Sequence, residues 1–134
     1  MKLETTIELL NGEQPLIHLQ DIEVFDDGSG ARCLLTINSN HFSCTSFPFY
    51  FEDLKDFCKS IKRMYKELKG NARLSLSYEP GFIELEMDKL GHVNVHGLVI
   101  GHGLGQELRF RFQTDQTCLS SMVQTSDEAL KEMS

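Results

Sequence analysis

The segment Gly91 to Leu119, GHVNVHGLVIGHGLGQELRFRFQTDQTCL, most constrains what this chain can become. Val93, Val95 and Val99 fall on one side of a strand, with Gly97 between them. Leu108, Phe110 and Phe112 share a side of the next strand, opposite Glu107, Arg109, Arg111 and Gln113. Successive side chains of a strand point to opposite faces, so this period of two marks half-buried antiparallel strands rather than helix. The polar run Thr114-Asp115-Gln116-Thr117 then predicts a helix start, with Asp115 as an N-cap accepting first-turn amides. Leu119, Met122, Val123, Ser126 and Leu130 form the inward stripe of that helix.

The rest of the chain repeats the pattern. Strands are expected over Thr5–Leu10, Pro15–Phe25, Ala31–Asn38 and His41–Pro48, separated by the turn signals Asn11-Gly12, Asp26-Asp27-Gly28-Ser29-Gly30 and Asn38-Ser39-Asn40. A helix is expected from about Phe51 to Lys69, where Leu54, Phe57, Cys58, Ile61, Met64, Tyr65 and Leu68 recur at helical steps. Glu52 and Asp53 fall in its first turn, Lys66 and Lys69 in its last, and Gly70-Asn71 supplies the stop. Two strands follow, Arg73–Tyr78 and Phe82–Asp88, joined through Glu79-Pro80-Gly81. Strands outnumber helices and arrive in hairpin pairs. The fold class is therefore α+β, a mainly antiparallel sheet of about eight strands with two helices in the order ββββαββββα. No linker, repeat or low-complexity tract divides residues 1–134, which read as one domain.

Thirteen basic against twenty acidic residues leave a net charge of −7. Nucleic acid is a disfavoured partner for such a chain and a basic protein is a favoured one. The opening MKLETTIELL lacks the apolar core of a signal peptide, and no stretch approaches the ~20 apolar residues of a membrane span, so a cytoplasmic protein is expected. In that reducing setting Cys33, Cys44, Cys58 and Cys118, with no CxxC pair among them, are expected to be free and mostly buried.

Several residues invite chemistry. His92 and His96, with His102 nearby, suggest a metal, but four strand residues span roughly 13 Å, too far for neighbouring side chains to share one ion. Gly101-His102-Gly103-Leu104-Gly105 lacks the lysine and the following helix of a phosphate loop. Cys44 and His41 fall on opposite faces of a strand, and Cys118 at a helix start has no visible base. Glu84, Glu86 and Asp88 alternate along one polar strand face, with Glu79 at the adjoining turn. They form either an acidic stripe for a partner's Lys and Arg or cross-strand pairs with Arg109 and Arg111. The aromatic run Phe42, Phe47, Phe49, Tyr50, Phe51 serves a core or an oligomer interface, and oligomeric state is left open.

The segments Gly91-His92-Val93-Asn94-Val95-His96-Gly97 and Glu107-Leu108-Arg109-Phe110-Arg111-Phe112-Gln113-Thr114-Asp115-Gln116-Thr117 resemble bacterial immunity proteins of the WapI type. That family shows a G-x-V-x-V-x-G strand, then an L-x-F-x-F-x-T-D-Q-T strand entering a closing helix. Phe51-Glu52-Asp53-Leu54 and the hairpin through Pro80 and Phe82-Ile83-Glu84-Leu85 fit it too. The resemblance implies a cytosolic, non-enzymatic protein without cofactor or metal that binds and neutralises a cognate toxin C-terminal domain. Nuclease toxins with basic clefts would suit the charge. Partner contacts are then expected at Glu79, Glu84, Glu86 and Asp88, with neither nucleic acid nor membrane as partner. The competing expectation is a small hydrolase or ligand-binding domain whose sheet pocket uses His92, His96 or Cys118.

Overall fold

A computed structural model describes residues 1–134 except Ser29, Asn40, Glu79 and 102–104, and except the side chains of Ser46 and Phe47. Among the described residues, eight strands form one sheet whose spatial order follows the chain. They are β1 (Ile7–Asn11), β2 (Gln14–Val24), β3 (Ala31–Ser39), β4 (Phe42–Glu52), β5 (Gly70–Leu76), β6 (Phe82–Met87), β7 (His92–Ile100) and β8 (Glu107–Asp115). Helix α1 (Leu54–Glu67) connects β4 to β5, and α2 (Gln116–Met133) follows β8. Every neighbouring pair is antiparallel. The α+β class, the element order and the hairpin pairing expected from alternation are those of the structure.

The sheet has a weak seam. β4 runs for 11 residues, yet only Phe51 and Glu52 pair with β5, opposite Leu76 and Ser75. By contrast β7 and β8 pair without interruption from His92↔Asp115 to Ile100↔Glu107. Two four-stranded halves therefore diverge from one short junction, and α1 and α2 pack together beside it.

Alternation places the core as expected. Val93, Val95, Val99, Phe110 and Phe112 are buried, and Leu108 is half-buried against them. Gly97 is required where it stands. A Cβ there would lie 2.4 Å from the Phe82 carbonyl oxygen and 2.9 Å from the Phe110 ring, which covers it. Phe49 and Phe51 stack at 5.6 Å inside the core, whereas Phe42 is exposed, so most of the described aromatic run is core rather than interface.

Helix α1 differs from expectation at both ends. Phe51 and Glu52 continue β4, because Phe51 alternates with Phe49 into the core and pairs with Ala31. Asp53 makes the break with a left-handed backbone (φ 59°), and its side chain caps nothing. At the other end Leu68 adopts the left-handed stop (φ 57°) while Gly70 and Asn71 open β5. Tyr65 and Leu68 are consequently exposed, and the buried stripe is Leu54, Phe57, Cys58, Ile61 and Met64.

Helix α2 starts as its sequence predicts, with Asp115 Oδ1 accepting the Cys118 amide at 3.1 Å. It then returns to the far edge of the sheet. Ser121 Oγ accepts the Leu10 amide at 2.9 Å, and Thr125 Oγ1 accepts that of Glu8 at 3.2 Å. The Glu132 carboxylate accepts the Glu4 and Thr5 amides at 2.8 and 2.9 Å, and the Thr5 hydroxyl as well. Steps of four and seven residues put these three side chains on one helical stripe. An edge strand carries unpaired backbone donors that must find partners, and here a helix supplies them.

Candidate partner-binding face

The outer faces of β5 to β8 form one polar surface whose register rows cross four strands. Arg73, Glu84, His96 and Arg111 lie in successive strands of one row. Asn71, Glu86, Asn94 and Gln113 make the next. Alternation on β6 sends Ile83, Leu85 and Met87 inward, which forces Phe82, Glu84 and Glu86 outward.

The members of the acidic stripe differ in their environments. Glu84 is tethered twice, accepting from Asn71 Nδ2 at 3.0 Å and lying 3.3 Å from His96 Nε2. Asp88 closes the turn into β7, where its Oδ1 accepts the Leu90 and His92 amides at 2.8 and 3.0 Å. Desolvation pushes the Asp88 carboxyl up, but the His92 and Leu90 amides and the nearby His92 ring outweigh it and hold the group below its ordinary value. Glu86 is exposed and has no partner among the described residues. Glu79 lies outside the described residues. The alternative of cross-strand pairs with Arg109 and Arg111 does not form, because β7 lies between β6 and β8 and its His96 takes Glu84 instead.

The Phe82 ring carries the Arg73 guanidinium, with Cζ 4.1 Å from the ring centroid. The same ring meets His96 edge-on at 5.5 Å. These contacts fix the sheet face, since a cation over an aromatic ring and an edge-on ring pair are both favourable geometries. No sequence pattern marked Arg73 or Phe82. Their partners lie on other strands, so only the register could reveal them.

The residues of the pocket hypothesis are not brought together. His92 sits 3.4 Å from Asp88 and His96 pairs with Glu84, so each imidazole takes a separate carboxylate. Cys118 lies in the first turn of α2 with its Sγ 4.0 Å from Asn11 Oδ1, beside the β1–β2 turn. His102 lies outside the described residues, as does most of the glycine-rich turn. Among the described residues, no group of three His, Cys, Asp or Glu side chains converges as metal ligands would.

All four cysteines are free, Cys33 and Cys58 buried and Cys44 and Cys118 partly so. Burial pushes the Cys33 and Cys44 thiols up, and the Cys58 thiol up to about 11. A thiol that holds its proton is a poor nucleophile. No described helix is long and apolar enough to cross a membrane.

The fold is α+β, with an eight-stranded antiparallel sheet among the described residues and a polar outer face on which Glu84 and His96, and Asn94 and Gln113, pair across strands. The sequence matches the model of the WapI-like immunity protein family over residues 4–134, nearly the whole chain, and the protein belongs to that family. An immunity function and a cognate toxin as partner follow from this membership. No curated protein and no solved structure matches the chain.

Proposed function

We propose that this protein neutralises its toxin by stoichiometric binding in the cytoplasm, without chemistry of its own, through the acidic outer face of β6. Glu84, Glu86 and Asp88, with Glu79 at the adjoining turn, receive basic side chains of the toxin domain. A nuclease cleft, basic because it must hold phosphates, is the surface such a stripe would fit.

The observation that carries this reading is the double tethering of Glu84 and Asp88. Their carboxylates are already fixed, so binding costs little further side-chain ordering. Glu86 between them stands in solvent, available to a cation. The net charge of −7 supplies long-range attraction to a basic domain.

The test is capture of catalytically disabled toxin domains from the same organism, followed by association kinetics at two salt concentrations. One-to-one capture is expected, and Glu84→Lys with Glu86→Lys should slow association roughly tenfold at low salt. Unchanged association and affinity in that variant would remove the acidic face from the interface.

A further inference from the structure

A concavity lies where the two half-sheets part. Beyond the Phe51–Glu52 junction, the outer side of β4 between Phe42 and Thr45 pairs with no strand among the described residues. Across the gap, β8 is the last strand of the sheet. Every second β8 residue therefore directs its N–H and C=O away from β7. One cavity of about 630 Å³ is lined by Cys44 and Thr45 on the β4 side and by Val99, Glu107 and Leu108 opposite. A second, of about 290 Å³, shares Leu108 and runs on between Ile37, Phe42 and the β8 pair Arg109 and Arg111. Together they border β8 from Glu107 to Arg111, roughly 13 Å of strand.

The described charges along this gap are Glu107 at one end of the β8 segment and Arg109 and Arg111 beyond it, so the basic part is the stretch from 109 to 111. Arg109 and Arg111 are exposed, stand two residues apart on one face, and form no ion pair among the described residues. Phe42, with 72% of its surface exposed, overhangs the same groove. Arginine and aromatic side chains in a partly enclosed site are the residues that most often anchor protein partners.

We propose that this groove takes an extended acidic segment of a protein partner, which adds to the open edge of β8 and sets alternate carboxylates on Arg109 and Arg111. Side chains two apart on an added strand share a face, so a carboxylate at every second position meets the two guanidinium groups in register. The edge needs both donors and acceptors, which a peptide backbone offers and a phosphodiester chain does not. Arginines beside an edge repel basic strands and discourage indiscriminate pairing, while an acidic strand is admitted. The proposal rests on the reading of this chain as a binding protein. Its test uses no toxin, so the two can fail separately.

The probe is a short capped peptide of alternating Asp and Val, titrated into the full chain while amide hydrogen exchange is followed residue by residue. At saturation, outward amides of β8 between Leu108 and Phe112 should exchange at least ~10-fold more slowly, and those of β1 should not change. Arg109→Glu with Arg111→Glu should weaken binding by roughly tenfold or more, with exchange in β6 and β7 unaltered as the check on folding. The same peptide methylated on alternate amide nitrogens should not protect β8. Absence of protection in β8, equal binding of the methylated peptide, or equal binding of a Lys-for-Asp peptide would each overturn the proposal. So would equal binding by a single-stranded oligonucleotide of matched charge, which would assign the arginines to phosphate.

Discussion

At one edge of the sheet β1 passes outward amides to Ser121 and Thr125 of α2, and Glu132 takes those of Glu4 and Thr5 just before the strand, while at the other β8 presents its edge to a groove that no described element fills. Both edges face the same physical demand, since an unpaired backbone donor or acceptor removed from water is costly. The fold meets it within the chain at β1, by laying its own C-terminal helix across the strand so that side-chain hydroxyls accept the strand's amides. At β8 the demand is left to solvent or to a partner. An edge closed by the chain itself serves stability, whereas an edge left open beside two arginines that form no ion pair among the described residues is the kind that serves recognition.

The comparison breaks most plainly if α2 is removed from the core. Leu119 and Met122 are fully buried beneath it. Leu119→Ala or Met122→Ala should cost about 2–5 kcal/mol, because each leaves a cavity in packed surroundings. Urea unfolding would measure the loss, and exchange at the Glu8 and Leu10 amides should rise together with the global transition. A loss below about 1 kcal/mol would mean that α2 merely rests on the sheet rather than completing it.

A finer cut removes the cap and keeps the helix. In Ser121→Ala the Leu10 amide loses its acceptor, and leaving a half-buried donor unsatisfied should cost roughly 1–2 kcal/mol. Hydrogen exchange at Leu10 should accelerate while that in β8 stays as it was. If Leu10 exchange is unmoved, water caps the strand as well as the hydroxyl does.

Acid should act on the same side of the molecule. The Thr5 hydroxyl, followed by the Glu4 and Thr5 amides, holds the Glu132 carboxyl below its ordinary value of 4.5. Lys62 and then Lys131 do the same for Asp127, which lies 2.6 Å from Lys62 across the α1–α2 contact. The folded state thus binds these protons less readily than the unfolded chain. Their stabilisation is whole above the ordinary carboxylate range and is lost as pH falls through the lowered folded values. Exchange at Glu4 and Thr5 should therefore rise below about pH 4.5 before that of β7 and β8. Glu132→Gln should remove most of that acid sensitivity at Glu4 and Thr5, and equal sensitivity in the variant would place its origin elsewhere.

The sequence foretold these regions unequally. Alternation in Val93–Val99 and Leu108–Phe112 marked both strands and their buried sides, because the period of two is a local signal. Asp115 announced α2 for the same reason, its cap being made within one turn. The cap on β1 and on the residues just before it was not legible, since it joins residues 111 to 128 positions apart, and Ser121, Thr125 and Glu132 look like ordinary polar helix positions. The groove was hidden for a similar reason. Nothing local says that β4 stops pairing with β5 beyond Phe51 and Glu52. On the acidic face the stripe itself was readable, but its tethers to Asn71 and His96 required the register of three strands.

The smallest expected effect is the sharpest test of what the hydroxyls of α2 are for. Ser126 is fully buried one turn beyond Met122, and its Oγ has no hydrogen-bond partner among the described residues. Unlike Ser121, it satisfies no backbone group. Removing a hydroxyl that stabilises no partner forfeits little, since its own desolvation already opposes folding. Ser126→Ala should therefore change stability by less than about 1 kcal/mol, in either direction, by the same urea measurement that registers the cost of Ser121→Ala. Equal losses in the two variants would mean that the contrast between them is one of packing, and that α2 is not specialised to close the β1 edge.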